Sequence, residues 1–153
     1  YSERTNHRIN ESIVDVTDTG HRIAGEAAFR RAGLKPQDMG SFHPYDDFII
    51  AMMIQMEMLG FCKHGQGCDF IRENDFSHTG NLPLNTGGGQ ISAGQAGLAG
   101  GGTNLIEGVR QLMGGGGKRQ VADTRHALVT GIGGIPYGRN WTTSAVMILS
   151  SNA

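Results

Sequence analysis

Residues 82–113 read LPLNTGGGQISAGQAGLAGGGTNLIEGVRQLM, and eight of the eighteen residues from 85 to 102 are glycine. Glycine adds nothing to a core and loses much conformational freedom on folding. Such density marks either a flexible linker or a loop whose backbone passes close to a ligand. Flexible linkers are polar and join no particular elements. This stretch is entered by Leu82–Leu84, which reads as a short strand. It is left by Thr103–Met113, where Leu105, Ile106, Val109, Leu112 and Met113 recur at helical spacing, with Glu107 and Arg110 between them. A strand, a glycine turn and a helix together turn backbone N–H groups and a helix N-terminus toward a ligand. The stretch is therefore read as an active-site loop. Neither GxGxxG nor GxxxxGK[ST] is present, so a nucleotide loop is unsupported.

Working upstream, DDFIIAMMIQMEMLG (46–60) predicts a helix opened by Asp46 and Asp47 and ended by Gly60. Only Gln55 and Glu57 interrupt its apolar residues, so it should be buried on every side, which calls for a further layer of protein. Its methionines suit adaptable core packing. HRIAGEAAFRRAGL (21–34) predicts an amphipathic helix with Ile23, Ala27, Ala28 and Phe29 inward and Arg22, Glu26, Arg30 and Arg31 outward. Thr17 or Thr19 would cap its start and Gly33 its end. Short strands are expected at Ile13–Val16 and Ser41–Tyr45, and residues 61–80 read as an irregular excursion. Downstream, strands at His126–Ile132 and Thr143–Ser151 flank GGIPYGRNWT. The element order predicts an α/β domain with a mixed sheet and helices on both faces.

The totals narrow the partners. A chain of 153 residues with formal charge −1 shows no electrostatic footprint for nucleic acid. Its longest apolar run, Phe48–Ile54, is too short to span a membrane. Two cysteines make no disulfide framework, so a reducing, cytoplasmic setting is expected. Cys62, His64 and Cys68 lack zinc-site spacing, and no metal is expected there. His43, His64, His78 and His126 read as surface or loop histidines.

Six pieces in one order carry a resemblance: AAFRRAGLKPQDM, YDDF, LGFC, LPLNTGGGQISAG, EGVRQLMG and VTGIGG. Together they resemble the C-terminal half of the thiolase superfamily, especially the sterol-carrier type and the thiolase-like steroid side-chain aldolases. The resemblance runs over 16–153, with 1–15 read as a remnant of a preceding half. It implies a five-layer αβαβα fold, a homodimer, an acyl-CoA thioester substrate with no other cofactor, and a small zinc-ribbon and OB-fold partner protein.

The resemblance also assigns residues. Where thiolases carry GHP, this chain has Gly94, Gln95 and Ala96, and glutamine has no usable pKa. Where they carry CxGGG, Gly131 replaces the cysteine. Where they carry NEAF or HDAF, Tyr45 opens YDDF, as in the aldolases, which also have a second tyrosine where Gln95 stands. Tyr45, Asp46 and Gln95 are thus the candidate catalytic set, with Asp46 better suited to a cap than a base. Asn85, Gly87, Gly88, Gly89, Gly94, Gly133 and Gly134 are the candidate substrate-binding positions. A phosphate contact from Lys118 and Arg119 is weighed against a solvated turn. The implied chemistry is making or breaking a C–C bond beside the thioester, as a retro-aldol lyase rather than by Claisen thiolysis. The alternatives are a thiolase-type acyltransferase, such as an acetyl-CoA acetyltransferase, and a non-catalytic thiolase-like subunit.

Overall fold

The computed structural model describes residues 2–3, 17–133 and 143–151. The expected strand at Ile13–Val16 and most of the loop 133–142, Gly134 included, lie outside the described residues. Four strands form one mixed sheet, β1 (Ser2–Glu3), β2 (Ser41–His43), β3 (His126–Ile132) and β4 (Ser144–Ser150), in the order β1-β4-β3-β2. β2 runs parallel to β3, whereas β3–β4 and β1–β4 are antiparallel.

Helices cover both faces of the sheet. Helix α1 (His21–Ala32) forms where the periodicity predicts it and ends at Gly33 in a left-handed conformation. Thr19 reaches its start, with Oγ1 accepting the His21 backbone N–H at 3.4 Å. α1 lays Ala24 and Phe29 against Phe42, Leu128 and Val146, joined by Met56 and Leu59. On the other face lies α4 (Gly100–Leu112). Gly108 permits its close approach, because a Cβ there would stand 3.2 Å from Val129 and 3.4 Å from the His43 ring.

Several expectations about the elements are refined or revised. Leu82–Leu84 makes no strand, only a parallel bridge from Leu84 to Phe42. The excursion at 61–80 contains a short helix, α3 (Gly67–Glu73), held by a run of rings from Phe42 through Phe61 and Phe70 to Phe76. Helix α2 (Ile49–Met58) buries Ala51, Ile54, Gln55, Met56 and Met58. Its entrance is not covered by this chain: Phe48, Ile49 and Ile50 are 57%, 73% and 55% exposed.

A further revision concerns α4, which packs opposite to its apolar pattern. Asn104, Glu107 and Gln111 face inward, while Ile106, Val109 and Met113 are exposed. The polar residues win the inner face because each finds specific partners there, described below, with only Asn104 Oδ1 left unpaired among them. The apolar stripe is left for something beyond these residues. Among the described residues no helix is long and apolar enough to cross a membrane.

His43 is fully buried rather than at the surface, and so is His21. Thr19 Oγ1 lies 2.9 Å from His21 Nδ1, and His21 Nε2 lies 3.2 Å from the Gly131 carbonyl, which suits a neutral ring donating through Nε2. Burial pushes both histidines down to about 4. The unfolded chain takes up those protons near pH 6.5, so it binds more protons than the fold between pH 6.5 and 4. Stability supplied by the neutral rings is therefore complete above pH 6.5 and is lost as pH falls toward 4. The urea midpoint of the full-length protein should drop clearly between pH 7 and 4.5; a flat midpoint would contradict this.

Candidate active site

The chain leaving β2 is irregular and buried, and each of its polar backbone groups must find a partner. The Pro44 carbonyl accepts from Asn85 Nδ2 at 3.0 Å and from Asn104 Nδ2. The Tyr45 N–H donates to Thr130 Oγ1 at 3.0 Å, and its carbonyl accepts from Gln55 Nε2 at 2.9 Å. Thr130 Oγ1 in turn donates to Gln55 Oε1. Gln55, which seemed to interrupt an apolar helix, thus ties α2 to the backbone of Tyr45.

The glycine loop closes over the same segment. Gly88 and Gly89 have φ of 97° and 58°, a region that suits glycine, and Gly89 starts a π-helical turn, Gly89–Ala93. The buried Asp46 carboxylate accepts from the Gln90 N–H at 2.9 Å and the Ile91 N–H at 3.2 Å. Asp46 therefore caps this turn and not α2, which begins at Ile49 behind Phe48. A Cβ on Gly89 would stand 2.2 Å from the Asp46 carboxylate, so only glycine permits the clasp. Next to it, burial pushes the Asp47 carboxyl above its usual range, and the charge of Asp46 adds to the effect.

Glu107 anchors the loop's entrance. Its carboxylate accepts from Thr86 Oγ1 at 2.8 Å, Gln111 Nε2 at 2.9 Å, Arg110 at 3.0 Å and Arg119 at 3.2 Å. Burial alone would raise this carboxyl, but hydrogen bonds from Gln111, Thr86 and Arg119, with the Arg119 charge, hold it at about 2. Arg119 is thereby committed to the fold. Gly87 passes close to the same carboxyl, since a Cβ there would lie 3.0 Å away.

An apolar cleft of about 390 Å³ opens between the start of α4 and the sheet, walled by Gly101, Leu105, Val129, Gly131, Ala145 and Met147. The half-buried Tyr45 ring stands at its α4 end, where a Cβ on Gly101 would lie 3.5 Å from Cε2. Gln95 Nε2 donates to Tyr45 Oη at 2.8 Å. In that bond the Tyr45 oxygen is the acceptor. The structure so gathers Tyr45, Asp46, Asn85, Gly87, Gly88, Gly89 and Gln95. Gly94 ends the π-helical turn with open space around it, and Gly133 donates to the Thr143 carbonyl at 2.8 Å. Sequence reading missed Gln55, Asn104, Glu107 and Thr130, the residues that hold this constellation. Their only signal was polarity inside helix or strand patterns.

The fold and this glycine loop are those of a thiolase C-terminal half. Residues 2–151 match the family described as "Thiolase C-terminal domain-like", and the chain belongs to that family. Among its relatives, it is 40% identical over 114 residues to the 17-hydroxy-3-oxo-4-pregnene-20-carboxyl-CoA lyase of Mycobacterium tuberculosis, covering 74% of this chain and 28% of the lyase. It is 37% identical to the steroid side-chain-cleaving aldolase of Thermomonospora curvata, with the same coverage of each. It is also 37% identical over 110 residues to sterol carrier protein 2 of Gallus gallus, covering 72% of this chain and 20% of that protein. The solved structure of the Ltp2-ChsH2(DUF35) aldolase superposes with a TM-score of 0.78 at 26% identity, over 99% of this chain and 38% of the other. The chain thus spans less than a third of the curated relatives it matches.

Proposed function

We propose that these residues form the C-terminal half of an enzyme that breaks a C–C bond in a β-hydroxyacyl-CoA by retro-aldol cleavage. The observation that carries this is the Tyr45–Gln95 hydrogen bond, beside Gly101 of the apolar cleft. The two positions where thiolases hold a catalytic histidine and cysteine are here an amide and a glycine, Gln95 and Gly131. Neither can take a proton at neutral pH, so Tyr45 is left as the proton carrier. In the step, the Tyr45 phenolate takes the β-hydroxyl proton, the Cα–Cβ electron pair moves to Cα, and the β-carbon leaves as a carbonyl compound. The phenol so formed returns that proton to Cα of the thioester enolate, which gives the shorter acyl-CoA and restores the phenolate. N–H groups of the glycine loop and of the α4 terminus stabilise the enolate oxygen as charge develops.

The exposed stripe of α4 and the bare entrance of α2 fit a five-layer whole in which the rest of the polypeptide covers them. Relatives named as a lyase and an aldolase support the reaction class. A homodimer and a small zinc-ribbon and OB-fold partner complete the proposal, and a neighbour named as a two-component aldolase supports the second. The test offers the full-length protein, with that partner, a β-hydroxyacyl-CoA and, separately, a β-ketoacyl-CoA plus free CoA. Carbonyl release from the first supports the lyase. Thiolysis of the second alone would make it an acyltransferase, and inertness toward both would make it a non-catalytic subunit.

A further inference from the structure

Three glutamines are buried in this half-domain, and one is left without partners. Gln55 and Gln111 spend their amides on Tyr45, Ala51 and Thr130, and on Thr86, Glu107, Arg119 and Val121. Gln90 is only 6% exposed, yet neither its Oε1 nor its Nε2 has a hydrogen-bond partner. Its backbone N–H is clasped by Asp46, so the residue is fixed in place. An amide buried unpaired on both atoms opposes folding. Such a group calls for an explanation.

The amide faces the opening turn of α4. A Cβ on Gly100 would lie 3.1 Å from Gln90 Oε1 and 3.5 Å from Gln95 Nε2, and one on Gly101 would lie 3.5 Å from the Tyr45 ring. Gln90, Gln95 and Tyr45 therefore converge where a 13-residue helix begins. The Gly100 N–H is taken by the carbonyl of Gly97 in the preceding short turn; the N–H groups that follow in the first turn of a helix lack intrahelical acceptors, and the helix dipole favours negative charge there. Glycines leave that turn without side chains that would block it.

We propose that Gln90 is a specificity-determining residue whose amide hydrogen-bonds the β-hydroxyl of the thioester substrate, while the opening turn of α4 holds the thioester oxygen. This rests on the retro-aldol reading of the site. An amide both donates and accepts, as a hydroxyl does. Donation from Gln90 to the hydroxyl oxygen leaves that group's proton free to pass to Tyr45. A pocket built to pair a hydroxyl rejects the analogue that lacks it, because its own buried polar atoms then stay unpaired.

The test uses the full-length protein with its partner and two probes: a β-hydroxyacyl-CoA as substrate and the β-unsubstituted acyl-CoA of equal length as competitive inhibitor. Gln90→Met keeps side-chain length and removes both hydrogen-bonding atoms. It should raise KM for the hydroxylated thioester by about tenfold to a hundredfold and change the inhibition constant of the other by less than about twofold. Its melting temperature should hold or rise, since the fold loses an unpaired amide. Gln90→Glu keeps the shape without the N–H donors and should show the same loss of preference. Equal weakening toward both thioesters overturns the proposal. So does a Gln90→Met protein that melts lower or fails to fold, because the amide would then be paired within the protein itself. If the wild type binds neither thioester, the retro-aldol reading falls and takes this one with it, an outcome the wild-type assay alone reveals.

Discussion

Tyr45→Phe is expected to lower turnover of a β-hydroxyacyl-CoA by on the order of a hundredfold to ten-thousandfold, the usual contribution of a general acid–base group. The ring contacts the α4 start through carbon atoms, and the backbone of residue 45 is held by Thr130 and Gln55. Phenylalanine keeps all of these and removes only the hydroxyl that Gln95 bonds. The melting temperature should therefore move little while the rate collapses. Gln95→Ala should cost less, because its amide steadies the phenol and takes no proton. Turnover by the two variants and the wild type, all in the full-length protein, decides the matter. A Tyr45→Phe enzyme near wild-type rate would make the hydroxyl structural and leave the retro-aldol step without its proton carrier.

What the sequence reveals here depends on how far away each residue's partner lies. α1 is legible because its inward residues repeat at helical spacing, and β3 and β4 because each is a short, mostly apolar run of strand length. α4 is legible in extent and misread in orientation. The periodicity rule equates apolar with inside, but Asn104, Glu107 and Gln111 are drawn inward by Pro44, Thr86 and the backbone at Arg119 and Val121. α3 has only seven residues, too few to show a period, and the chain of rings that holds it ends at Phe42, far upstream in the sequence.

The candidate site divides in the same way. Tyr45 and the glycine loop are visible as motifs, and a glycine at positive φ is a local demand that the sequence states directly. The role of Asp46 is half visible: the sequence shows a cap, but its turn lies 44 residues downstream, beyond the adjacent helix that a local reading assigns to it. Gln90 went unnoticed because only burial and the lack of partners distinguish it, and both are properties of the folded chain.

Gly89→Ala should be the most damaging small substitution in the loop, and Gly97→Ala is its matched control. The two glycines have nearly the same backbone, with φ of 58° and 56°. Alanine in this left-handed region costs about 1 kcal/mol at either position. They differ in what a methyl group would meet. At Gly97 nothing stands within 4 Å, whereas at Gly89 the Asp46 carboxylate lies at 2.2 Å. The carboxylate cannot yield without giving up the Gln90 and Ile91 N–H groups, and it is buried, so it would be left charged and poorly paired. Charge-assisted hydrogen bonds are worth about 1.5–3 kcal/mol each, so with the backbone strain the total loss at Gly89 should be about 4–7 kcal/mol, against about 1 kcal/mol at Gly97. The displaced turn carries Gln90 and leads to Gln95, so activity should fall with stability in the first variant and stay near wild type in the second. Denaturant unfolding of both variants in the full-length protein measures the difference. Equal costs at the two positions would mean that the Asp46 clasp contributes nothing beyond the strain of the backbone.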